Sequence, residues 1–183
     1  VESRNAHELL KYFQKGSAIW MFRNPKDVVR SNMKRFGDNN GIRDLAPIFY
    51  NEVGNWRSEK VKNDTQEIVK AHYSETMRYE DAAALFWYCR NRSFFDQHLQ
   101  NHPRVKLCFY DDLVTHPRST MKDIYQFIGT SYPGNRLVRE VHPHSVNKGK
   151  NIEFGSDISD ICYNLYEKLI DIYRKTRKEA NRN

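Results

Sequence analysis

No run of apolar residues in these 183 positions approaches the roughly 20 that a membrane-spanning helix needs, so no span is expected. Cysteine is sparse. Cys89, Cys108 and Cys162 lie far apart inside apolar stretches, with no C-x-x-C pair. That argues against a disulfide framework or a cysteine zinc site and predicts buried free thiols. The seven histidines include no H-E-x-x-H, and His142 and His144 are expected on opposite sides of an extended segment, so no metal is assigned. Internal repeats and low-complexity tracts are absent, and no signal peptide is visible. The chain opens at Val1 inside what reads as a helix. It is expected to be part of a longer product, preceded by a further strand, so missing targeting signals say little. The compartment stays open, with the cytoplasm slightly ahead of the Golgi lumen.

What is present is globular material. Apolar residues make up 39% and aromatics 13% of the chain, enough for a core and too much for a disordered tail. One domain over residues 1–183 is expected, with 176–183 as a frayed basic tail. Lys and Arg number 30 against 23 Asp and Glu, a net charge of +7. That balance favours anionic partners, although a solvated basic face accounts for it as well. No RNA-type aromatic motif or helix-turn-helix is visible, which argues against nucleic acid.

The most informative stretch is Ser17 to Phe36. Ala18-Ile19-Trp20-Met21-Phe22 reads as a strand covered on both faces, of the parallel-sheet kind. Arg23-Asn24-Pro25 turns the chain, and a helix opens at Lys26-Asp27, where proline suits the first turn. Arg23 leaves the carboxyl end of the strand and Ser31 sits about two turns into the helix. In open α/β sheets that end is where ligands bind, and an arginine fork beside a hydroxyl suits a phosphate. Ser31 taken alone reads equally as an exposed helix serine.

Elsewhere, Arg4 to Gln14 reads as a short helix, and GDNNGIRDLAP (residues 37 to 47) as an exposed loop. Residues 48 to 70 read as a surface helical hairpin or as the acceptor side of a cleft. Thr76 to Gln100 is a core helix by its apolar period. Val105 to Tyr110 is a second strand, ending in Asp111-Asp112-Leu113, and a helix runs from around Thr115-His116-Pro117 to Gly129. Lys148-Gly149-Lys150 lies in a polar basic segment, and the last helix spans Asp157 to about Arg177.

Arg23-Asn24-Pro25-Lys26-Asp27-Val28-Val29 with Ser31 resembles the 3′-phosphate segment of the sulfotransferases that use 3′-phosphoadenosine 5′-phosphosulfate (PAPS), of the form R-x-P-x-D-V-x-x-S. The stretch Val105 to Gly129 is similar to that family's strand ending in Tyr-Glu-Asp-Leu, then a spaced proline and a helix closing on Phe-Leu-Gly. Asp111 replaces the glutamate here, and Phe127-Ile128-Gly129 forms the ending. Two such segments in the family's order are far more specific than either alone.

The resemblance implies a three-layer α/β fold with a mainly parallel sheet, related to P-loop nucleotide kinases and N-terminally incomplete. It implies transfer of a sulfonate group from PAPS to a hydroxyl or amine acceptor, without a metal and with PAP as product. It gives the 3′-phosphate to Arg23 and Ser31 and places Tyr110 near the adenine. It makes Lys148-Gly149-Lys150 the basic loop that closes over the nucleotide, where a plain basic turn is the other reading. An anionic glycan is the acceptor that the charge mildly favours.

The family's P-K-S-G-T-T loop, which holds the 5′-phosphosulfate, has no counterpart here: neither Lys-Ser-Gly nor Gly-Lys-Ser occurs. The catalytic base is likewise unassigned, since His7 and Glu8 lie on a helix at the wrong end of the expected sheet. The resemblance thus covers the C-terminal two-thirds of the domain. A non-catalytic basic α/β module for polyanions or nucleotides is the competing reading, and a kinase relative a third. On sequence alone, Arg23→Ala is expected to abolish PAP binding and leave the fold intact.

Overall fold

The computed structural model describes residues 2–180. A 3-10 turn at Glu2–Asn5 leads into α1 (Ala6–Tyr12), followed by β1 (Ala18–Phe22), α2 (Pro25–Phe36) and α3 (Asn40–Phe49). Then come α4 (Asn63–His72), α5 (Tyr79–Asp96), β2 (Val105–Phe109), α6 (Tyr110–Thr115), α7 (Pro117–Phe127) and α8 (Ser156–Ala180). The protein is thus helix-rich around a small parallel sheet. β1 and β2 pair in parallel, with Ala18 opposite Val105 and Phe22 opposite Phe109, so both strands deliver their carboxyl ends to the same place. The α/β expectation holds, with two strands among the described residues.

Several local expectations change. β1 is not covered on both faces: Met21 is 49% exposed, and β1 has no partner on its second edge among the described residues. Beside that edge lies a cavity of about 780 Å³, lined by Leu10, Phe13, Ile19, Met21, Trp56 and Phe86 among others. The apolar run therefore reports a half-open sheet flank. Residues 37 to 47 are largely not a loop, because α3 begins at Asn40. Their Gly, Asn and Asp content masks an amphipathic helix whose Leu45 and Ile48 are fully buried. Gly41 is the reason α3 lies so close to α5: a Cβ there would stand 2.4 Å from the Ala83 nitrogen. Tyr110 opens α6 instead of ending a strand, so the Asp-Asp pair is helical. The expected tail continues as helix to Ala180, and residues 181–183 lie outside the described residues.

α5 is the central support. It packs against α2, α3 and α8, and its Phe94 meets Trp20 of β1 at 5.5 Å between ring centroids. Phe22 and Phe109, neighbours across the sheet, stack at 5.3 Å; Tyr173 of α8 meets both edge-on, and Tyr166 meets Phe22 edge-on and Phe109 at a tilt. This aromatic wall stiffens the strand ends just before the chain turns into α2 and α6, and each such pair adds about 0.5–1.5 kcal/mol beyond its buried area. At the opposite end, Arg104 closes the lead into β1. Its guanidinium donates to the carbonyls of Leu10, Phe13, Gln14 and Gly16 at 2.6–2.9 Å, satisfying the frayed end of α1.

All three thiols are free and buried, as expected. Burial pushes Cys89 up to about 12 and Cys108 up to about 11, and Cys162 upward as well. At neutral pH none carries the thiolate that reacts. A thiol reagent at pH 7.5 is expected to label none of the three in the native protein and all three in denaturant. Native labelling of Cys89 would contradict this packing.

Candidate functional site

The site grows from the two strand ends. Asn24 caps α2 by accepting from the Lys26 N–H at 3.0 Å, and Pro25 takes the first helical position. This sharp turn leaves Arg23 between the first turns of α2 and α6. Its Nη2 lies 3.2 Å from Asp27 Oδ2, one turn along, and donates to the Ser145 carbonyl. Its Nε faces Asp111 Oδ1 at 3.8 Å, too far for a hydrogen bond, and both atoms are buried with no hydrogen-bond partner. The guanidinium sits 4.5 Å above the Tyr110 ring, a cation–π contact. Only 14% of the Arg23 side chain reaches solvent.

Asp27 organises the other wall. At 3% exposure, its carboxylate accepts from the Asn147 N–H at 2.9 Å and the Gly149 N–H at 2.6 Å. It thereby ties the basic segment to the first turn of α2, where a negative charge is also favoured by the helix dipole. Gly149 is required by that approach: a Cβ there would fall 2.2 Å from the Lys26 carbonyl carbon. The Tyr110 hydroxyl and Ser145 Oγ, 2.9 Å apart, make the second tie. Lys148 and Lys150, on either side of the buried glycine, are exposed.

Five of the six residues singled out in the sequence thus belong to one assembly, in which Arg23, Tyr110 and the Lys148-Gly149-Lys150 loop are bound together. Ser31 stays outside the hydrogen-bonded group. It is exposed, and it follows Asp27 by one helical turn, on the same side of α2. His7 and Glu8 are not drawn in: the His7 ring lies against His102, and Glu8 pairs with Lys60 at 2.7 Å. His142 and His144 do not diverge as expected. A 3-10 turn at Pro143–Ser145 folds the segment and brings their rings to 5.4 Å. Among the described residues no group of metal-ligating side chains gathers.

Sequence reasoning missed Asp27, Asp111, Ser145 and Asn147. For Asp27 a signal existed, because an acid four residues after Arg23 is ion-pair spacing. The adjacent acids Asp111 and Asp112 divide the work. Asp111 faces Arg23, while Asp112 accepts from Tyr173 at 2.8 Å and from Arg177, fastening α8 to the site. Burial raises the Asp111 carboxyl above the usual carboxylate range, and Arg23 opposes the rise. Burial, with Asp111 nearby, pushes the Tyr166 hydroxyl up to about 12, so it stays neutral behind the site.

A buried arginine, a cationic glycine loop and an aromatic ring at two parallel strand ends can hold an anion attached to a planar base. A family model described as "Sulfotransferase domain" matches residues 5–164, most of the chain. Comparisons with curated proteins and with solved structures gave no match. The site segments and the extent of the match lead to one conclusion: this chain belongs to the sulfotransferase-domain family.

Proposed function

We propose that the protein transfers the sulfonate group of PAPS to a hydroxyl or amine, and that the assembly around Arg23 holds the nucleotide's 3′-phosphate. The observation that carries this reading is the clamp of Asp27 on Arg23 and on the Gly149 loop. It fixes a desolvated guanidinium beneath a turn carrying two exposed lysines. Arg23 spends Nη2 on protein partners, which leaves Nη1 and, once Asp111 yields, Nε for phosphate oxygens. Lys148 and Lys150 bring two mobile cations that offset the repulsion from Asp27 and Asp111. Ser31, on the same side of α2 as Asp27, is the hydroxyl available to a further phosphate oxygen. Tyr110, already stacked with the guanidinium, offers the edge of its ring to adenine.

Sulfuryl transfer resembles phosphoryl transfer in needing position and charge stabilisation more than covalent help. This half of the site supplies position. The carboxylates beside Arg23, Asp27 and Asp111, face its guanidinium, and the P-K-S-G-T-T loop for the 5′-phosphosulfate has no counterpart among the described residues, so the residues proposed here bind and orient the donor. The acceptor is left as a hydroxyl- or amine-bearing molecule, with an anionic glycan favoured by the net charge of +7.

The test is thermal unfolding with PAP and with adenosine 5′-phosphate, which lacks the 3′-phosphate. At a hundredfold excess over its Kd, PAP stabilises by about 2.7 kcal/mol, a rise in Tm of about 5–10 °C. Adenosine 5′-phosphate is expected to give less than half that rise. No shift with PAP, or equal shifts with both nucleotides, overturns the assignment. A salt-sensitive response to any polyanion would favour a binding module instead.

A further inference from the structure

The loop that ends at Gly149 begins beside a second feature. Between the start of α7 and the turn at Asn135–Val138 lies a cavity of about 480 Å³, the size range of small-molecule sites. Arg118, Arg136, Arg139 and His142 line it, and no carboxylate does. Arg118 and Arg136 take part in no ion pair among the described residues. Arg139 pairs with Glu140, but those side chains are 77% and 80% exposed, so water screens the contact. The first turn of α7 adds the positive end of its dipole to the same space. The floor is apolar: Val138 is buried, and Val141 and Pro117 join it.

We propose that this cavity binds a small organic polyanion, a compact ring or chain bearing sulfate or phosphate groups, separately from the nucleotide. Three guanidiniums around one opening repel one another, and a ligand with several oxyanion groups relieves that repulsion while using their forked geometry. The valine floor receives the ligand's carbon skeleton, which a bare inorganic ion lacks. The site shares no residue with the Arg23 assembly, so the inference does not depend on the donor assignment. A sulfated sugar and a phosphorylated polyol present the same chemistry, and the experiment tells them apart.

The experiment is calorimetric titration of the protein, and of an Arg118→Ala/Arg136→Ala variant, with sucrose octasulfate, inositol hexakisphosphate, inorganic sulfate and PAP. Both residues are exposed, so the variant is expected to fold normally. One of the two organic polyanions is expected to bind the native protein at least about tenfold more tightly than the variant. The tighter of the two names the ligand class. PAP affinity is expected to stay within about twofold. If the variant binds both polyanions as well as the native protein does, or if PAP affinity falls in step, there is no separate site. If inorganic sulfate matches the organic ligands, the apolar floor has no role and the proposal fails. A protein that binds no PAP at all would count against the donor assignment and leave this readout intact.

Discussion

Replacing Asp27 with alanine is expected to lower the stability of the whole protein by about 3–5 kcal/mol, the range for breaking a buried ion pair by removing one partner. The carboxylate is 3% exposed and has three obligations: the Arg23 guanidinium, the Asn147 N–H and the Gly149 N–H. Alanine leaves a desolvated cation and two backbone donors without their acceptor, and among the described residues the segment 145–149 is then tied only at Ser145, by Arg23 and Tyr110. In a domain of this size the loss corresponds to a fall in Tm of about 6–20 °C. Asp27→Asn keeps the volume and one acceptor oxygen, so its loss is expected to be smaller. Thermal unfolding measures both, and amide exchange at Asn147 and Gly149 locates the damage. A fall below about 2 °C for Asp27→Ala would show that the clamp contributes little.

That clamp also shows where the sequence was informative and where it fell silent. β1, the turn at Arg23-Asn24-Pro25 and the helix after it were legible because each rests on local chemistry: an apolar run, and a proline at the first helical position. α3 was not. Its glycine and asparagines carry the composition of a loop, and only the facing backbone of α5, which Gly41 allows to approach, makes a helix the better solution. Partners far apart in sequence were equally hidden. Nothing near Asp27 announces that Gly149, 122 positions later, needs its carboxylate. The two-sided cover expected of β1 failed for a related reason, since five apolar residues report that surfaces are apolar and not what covers them. The basic segment does reach Asp27, but its histidines were misjudged, because an extended segment was assumed where Pro143 opens a 3-10 turn.

Arg23 carries the second large effect, on ligand affinity, and the variant must be chosen with the clamp in view. On this geometry Arg23→Ala is expected to cost stability as well as affinity, because it removes the cation that faces the buried Asp27 and the partly buried Asp111. Arg23→Lys keeps a cation near both acids and removes only the planar fork and much of the contact with Tyr110. It is expected to weaken PAP binding by about ten- to a hundredfold, the worth of one or two charge-assisted hydrogen bonds, with a much smaller change in stability. Adenosine 5′-phosphate affinity is expected to change by less than about threefold, because the lost interaction is with the 3′-phosphate. Asp111 supplies an independent check through pH. Burial raises its carboxyl, so as pH falls through that raised value the group takes up a proton in the folded protein and releases its hold on the Arg23 Nε. Its protonated form is the one folding favours, so this contribution to stability is present at low pH and lost as pH rises through the folded value. Asp111→Asn mimics the protonated state. It is expected to bind PAP more tightly than the native protein at pH 8, with the advantage shrinking toward pH 5, and comparing the two proteins at each pH cancels the ligand's own protonation. Calorimetric titration across that range decides the matter: an Arg23→Lys variant with undiminished preference for PAP, or an Asp111→Asn advantage that does not vary with pH, would place the 3′-phosphate elsewhere.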